Sequence, residues 1–216
     1  MTKSGAEHFL KFTSFMGDEG TPFDDHKDPA WHAWLPSQLG GTFERGTVIA
    51  NWDPTIEVEI DCGKHAPNVC PDIYNAATDF IVSDRCRKVI ESVAPGQAQF
   101  LGFVPKPKKC EITNSPLWIM NMLRLPDCID MALSKAKPPV DQYDTYNWGT
   151  INPIVDPRRI PHDDMIFRLK HHSVVTLVRT ELRDAIRGAG LTGGGFHRWH
   201  WWVNEDGTGS SQLWPQ

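Results

Sequence analysis

A chain of 216 residues, 40% hydrophobic and 23% charged, can bury a sizeable core as one domain or as two closely packed halves. No run approaches the roughly 20 apolar residues of a membrane span, and Met1 to His8 lack the apolar stretch of a signal peptide. A cytoplasmic protein is the expectation. The formal net charge is -5, yet residues 1–61 hold 11 Asp and Glu against 4 Lys and Arg; that sign argues against nucleic acid, whose phosphates attract bases.

The first stretch, 1–75, is acidic and aromatic-rich. Phe9, Phe12, Phe15, Phe23, Trp31 and Trp34 stand among acids, too many large apolar groups for a disordered tail. It is expected to pack on the body, 76–216, as loops and short elements. The acid surplus suits a basic protein partner; ordinary solubility accounts for it as well. Ile56-Glu-Val-Glu-Ile60 alternates strictly, so a strand should set Glu57 and Glu59 on one face and Ile56, Val58 and Ile60 on the other. Residues 62–77 read as irregular.

Next comes a pattern that occurs twice, in units 80–103 and 176–199. A constant shift of 96 positions superposes Val82 on Val178, Arg87 on Arg183, Ile90 on Ile186 and Phe100 on Phe196 without a gap. Each copy opens with an apolar run suited to a buried strand. A capping residue follows, Ser83 or Asp84 in one copy and Thr180 in the other. Apolar residues then recur at helical spacing: Cys86, Val89, Ile90, Val93, and Leu182, Ala185, Ile186, Ala189. Glycine and proline end each helix, and a second strand begins near each phenylalanine. The unit reads strand, helix, turn, strand; it is scaffold rather than chemistry.

Between the copies, Leu101 to Val104 extends the strand and Lys106-Pro-Lys-Lys109 reads as a basic turn. Leu117 to Leu123 and Met165 to Leu169 read as strands, and 134–148 as a surface loop. His171-His172 reads as a solvated turn. Phe196 to Val203 should form the last strand, with Phe196, Arg198, His200 and Trp202 on one side. The whole is an α+β fold, a mixed sheet with short helices.

The chemical motifs are weak. Gly188-Ala-Gly-Leu-Thr-Gly193 has the letters of a dinucleotide fingerprint, but its glycines follow a helix instead of opening one, so they terminate it. Cys62, His65 and Cys70 could begin a zinc site, but no second knuckle exists, and neither metal nor cofactor is expected. Five cysteines, at 62, 70, 86, 110 and 128, give no disulfide framework. His162-Asp163-Asp164 could pair a base with its orienting carboxylate. No nucleophile elbow, H-E-x-x-H or phosphate-binding loop accompanies it, so no catalytic residue is assigned. A small cytosolic enzyme using this His/Asp site is the competing reading. Nine tryptophans, at 31, 34, 52, 118, 148, 199, 201, 202 and 214, exceed what a core of this size needs, and tryptophan is enriched in binding hot spots.

The ordered set Phe80 to Ile90, Gln99-Phe100, Trp118 to Asp130, Ile166 to Leu169 and Val178 to Gly193 resembles the Imm11 family of bacterial immunity proteins from polymorphic toxin systems. The resemblance implies a non-enzymatic protein that binds a cognate toxin and blocks it. It supplies no contact positions. Local composition nominates Asp24, Asp25, Asp28, Trp31 and Trp34 first, then Glu57 and Glu59, as acids and anchors facing a basic toxin cleft.

Overall fold

The computed structural model describes residues 9–13, 31–36, 39, 42–62, 70–76, 79–108, 111–114, 116–137, 153–200, 202–204 and 206–209. The repeated unit is its framework. In the first copy, strand β5 (Asp79–Ser83) leads into helix α1 (Asp84–Val93) and strand β6 (Ala98–Gly102). In the second, β10 (His172–Arg179) leads into α2 (Thr180–Gly188) and β11 (Gly195–Arg198). The reason is local. Fully buried β5 needs apolar residues on both faces, whereas each helix buries one stripe, Cys86 and Ile90 or Leu182 and Ile186.

Caps differ between the copies. Ser83 accepts from the Cys86 amide at 3.2 Å, as a capping serine should. Thr180 does not cap its helix: it is the first helical residue, and its hydroxyl lies 3.2 Å from Glu181 Oε2. The glycines after α2 do terminate it. Gly190 and Gly193 take positive φ, and a Cβ on Gly193 would lie 2.1 Å from the Ile73 carbonyl oxygen.

Neither unit is a simple β-α-β crossover. In each, an antiparallel strand is inserted between the two parallel ones: β8 (Leu117–Met122) between β5 and β6, and β1 (Phe9–Thr13) between β10 and β11. Each unit also has a fourth strand on its outer flank, β4 (Ile73–Ala76) beside β5 and β9 (Ile166–Leu169) beside β10. The strand orders β6-β8-β5-β4 and β11-β1-β10-β9 are therefore the same arrangement.

The registers agree as well. Val82 faces Ile73 and Trp118, and its twin Val178 faces Ile166 and Leu10. Phe100 faces Met120, and its twin Phe196 faces Phe12. The two units are copies of one four-stranded motif, except that the inserted strand comes after the helix in the first and from the start of the chain in the second.

The copies pack through one shared core. Ile73, Val82, Cys86, Ile90, Met120 and Met122 meet Leu10, Phe12, Ile166, Val178, Leu182, Ile186 and Phe196 there, and α1 touches α2 directly. The loop after each helix grips the outer strand of the other copy. Ile73 N donates to the Thr192 carbonyl at 3.0 Å, and Thr192 N donates to the Asp72 carboxylate at 3.1 Å. Reciprocally, Gln97 Oε1 accepts from Met165 N at 2.7 Å, and Gln97 Nε2 donates to the Asp163 carbonyl at 2.6 Å. Such reciprocity is the mark of two-fold packing.

The outer faces are covered differently. On the first copy, β2 (Trp31–Trp34) pairs parallel with β4, and β3 (Glu57–Cys62) and β7 (Val104–Lys108) follow, making a seven-stranded sheet. Its two edge strands, β6 and β7, are separated in sequence by Phe103 alone, so the sheet curls until one bent strand bridges its ends. Val58, Ile60, Tyr74, Ile81, Leu101 and Ile119 fill the interior. On the second copy, irregular chain supplies Ile129, Val155, Trp199 and Trp202 instead. The mixed pairing and two short helices are the expected α+β fold.

Several expectations are corrected. β4 lies in a stretch read as irregular, and β7 replaces the basic turn because Val104, Lys106 and Lys108 can pair with β3 while the intervening prolines need no partner. His171 and His172 are buried, not solvated: they form the tight turn and first strand residue between β9 and β10, with His171 at φ 66°. The last strand stops at Arg198. Beyond it Trp199, Trp202 and Val203 are all buried, and the Trp202 indole N–H donates to the Trp199 carbonyl at 2.6 Å.

Candidate interaction surface

The alternation in β3 is realised. Val58 and Ile60 are fully buried, while Glu57 and Glu59 turn outward. There they meet the lysines of β7. Lys106 Nζ donates to Glu57 Oε2 and Lys108 Nζ to Glu59 Oε1, both at 2.9 Å. The four side chains remain between 43% and 64% exposed. These hydrogen bonds and the adjacent carboxylates raise both lysines above the usual ammonium range. The result is a ladder with an acidic row on β3 beside a basic row on β7. Proline makes β7 an unusual edge. Val104 N donates inward to the Ile56 carbonyl at 2.9 Å, so by the two-residue period Pro105 and Pro107 point outward. That edge offers acceptors and no N–H, which blocks strand addition.

Asp24, Asp25 and Asp28 lie outside the described residues. The backbones of Trp31 and Trp34 belong to β2, in register with Cys62 and Glu59; their side chains also lie outside what is described. Of the tryptophans whose side chains are described, Trp199 and Trp202 are buried and Trp52 and Trp118 half-buried, so none is an exposed anchor. Trp52 donates to the Gly102 carbonyl at 2.5 Å, and Arg87 stacks 4.8 Å over Trp118. The described surface offers charge rather than aromatic anchors.

The alternative site does not assemble. His162 and Asp163 are exposed and make no ion pair with each other. Asp164 is buried, and its carboxylate faces Arg124 at 3.5 Å while its carbonyl accepts from Arg179 Nε at 2.9 Å. Burial raises the Asp164 carboxyl, and Arg124 pulls it partly back. Of the proposed zinc ligands, His65 and the Cys62 side chain lie outside the described residues, and Cys70 is buried. Cys86 and Cys128 are free and buried thiols; burial pushes Cys86 far up and Cys128 to about 12, so neither is a ready nucleophile.

Sequence reasoning missed one cluster. Arg168 on β9 is fully buried; its Nη2 donates to Asp79 Oδ1 at 2.6 Å and its Nη1 to the Phe43 carbonyl at 2.9 Å. Desolvation raises the Asp79 carboxyl; Arg168 opposes this, and nearby Glu44 adds to it. The only sequence signal was an arginine inside the apolar run Ile166 to Leu169. The cluster ties the second copy to the first.

What emerges is a doubled α+β scaffold whose described surface carries ion pairs and no assembled catalytic pair. The model of the Imm11 immunity protein family matches residues 6–200, and the chain belongs to that family. Its role is accordingly one of immunity. A search of the curated proteins found no match. Among the described residues no helix is long and apolar enough to cross a membrane.

Proposed function

We propose that the chain acts in the cytoplasm as the inhibitor of a cognate bacterial toxin, binding it and covering its active cleft. Family membership carries this reading. The acid surplus of residues 1–61 supports it, since a toxin that handles an anionic substrate presents a basic cleft. In this reading Asp24, Asp25, Asp28, Trp31 and Trp34 form the contact region, and Glu57 and Glu59 extend it along β3. A few aromatic anchors supply the affinity while the acids speed encounter.

The test is co-expression with each candidate toxin domain encoded by the genes that flank this chain's own. Survival only in the presence of the intact chain is expected; killing regardless of the chain overturns the proposal. Within the complex, reversal of Asp24, Asp25 and Asp28 to lysine should slow association about tenfold or more at low salt. Unchanged association kinetics would remove that segment from the interface.

A further inference from the structure

The duplication separates what is common to the two copies from what is not. Eight strands and both helices have a twin in the other copy. The remaining strands, β2, β3 and β7, have none among the described residues. They are built onto the outer edge of β4, whereas the corresponding edge of β9 is closed by plain backbone, Arg168 N donating to the Arg124 carbonyl at 3.0 Å. A repeated framework explains its own presence by packing. An added ribbon that, among the described residues, only one copy carries is where a function particular to this chain would be placed.

The ribbon's outer face has charges that stability does not require. Exposed ion pairs contribute little to folding, yet Lys106–Glu57 and Lys108–Glu59 are set in strict alternation and both held at 2.9 Å. Strand geometry spaces successive rungs about 7 Å apart and the two rows about 5 Å apart. The proline edge prevents a partner from joining as another strand, so docking must use the face.

Resting on the immunity reading above, the geometry points to the outer face of β3 and β7 as the surface that docks the toxin, and to a toxin surface carrying a basic row beside an acidic row. The two-sign pattern is more selective than an acidic patch. A uniformly basic groove laid on this face would lose against Lys106 and Lys108 what it gains from Glu57 and Glu59, whereas a surface with matching rows gains on both sides and is fixed in register. Like-signed mismatches thereby exclude other toxins.

The experiment uses the full chain and an active-site-inactivated form of the toxin domain that the co-expression test identifies. A fourfold exchange, Glu57→Lys, Glu59→Lys, Lys106→Glu and Lys108→Glu, keeps the net charge and each ion pair but inverts the rows. Thermal unfolding should match the unaltered chain, while toxin association slows about tenfold or more at low salt and the difference shrinks as salt rises. Equal association and equal affinity would overturn the docking face while leaving the immunity reading standing. No binding by the unaltered chain would sink both. Should the fourfold variant not fold, Glu57→Gln with Lys106→Gln removes one rung alone; about threefold slower association is expected, and no change in the salt dependence counts against the proposal.

Discussion

Asp164 shows how a single buried carboxyl can mimic a catalytic group. Desolvation raises it, the signature of a general acid. Its surroundings are a fixed turn: the Asp164 amide donates to the Pro161 carbonyl at 3.1 Å, and Arg179 holds its carbonyl. The shift bears on stability in a definite sense. A folded-state value above the unfolded one means that the native state holds the proton more tightly. The group's contribution is therefore fully present below the ordinary carboxyl value, about 4, and is lost as pH rises through the folded value. Asp164→Asn does not titrate, so its melting temperature relative to the unaltered chain should be higher at pH 7 than at pH 3. Melting curves at the two pH values check this; a relative gain at the acid end would mean that Arg124 outweighs burial.

Elements were legible where one period ruled. Strict alternation gave β3, and helical spacing gave α1 and α2 in both copies. β4 was hidden because Asp72-Ile-Tyr-Asn-Ala76 is short and has no alternation to read. β7 was hidden because proline argues against a strand except at an edge, and edge status is a property of the whole sheet. His171 and His172 seemed solvated on polarity alone, although one closes the turn and the other opens β10 between buried strands, and both side chains are buried. For the candidate surface, the acids on β3 were legible and their lysine partners were not, since Glu57 and Lys106 are distant in sequence. The Arg168–Asp79 pair fastens β9 to β5. An arginine stays charged in any protein interior, so Asp79→Ala takes a carboxylate from a buried cation and should cost about 3–5 kcal/mol. Joining Asp79→Leu to Arg168→Met should recover much of that loss. Urea unfolding measures both; a single-variant cost below about 1 kcal/mol would show the cation relaxing into water.

At the scale of the molecule, the open question is whether β1 belongs to the second copy in the way β8 belongs to the first. Leu10 occupies the place of Trp118, judged from both flanking strands, and Phe12 that of Met120, judged from β11 and its twin β6. Phe12 also stacks on Phe80 of the first copy at 4.7 Å, so β1 is central to the shared core. If the equivalence is physical, the direction from which the chain delivers this strand is incidental, because the slot between β10 and β11 is defined by its neighbours. Moving residues 1–13 behind residue 216 through a Gly/Ser linker of about 20 residues, with a reach of roughly 25 Å, restores the order seen in the first copy. That permuted chain should be a monomer that melts in one cooperative step within about 5 °C of the original, a shift worth about 2 kcal/mol at this length. Deleting 1–13 outright should instead abolish cooperative melting, because Leu10 and Phe12 leave the core they share with both copies. A permuted chain as unfolded as the deletion would mean that β1 must be laid down first, and the likeness of the two sheets would then be one of shape without interchangeable parts.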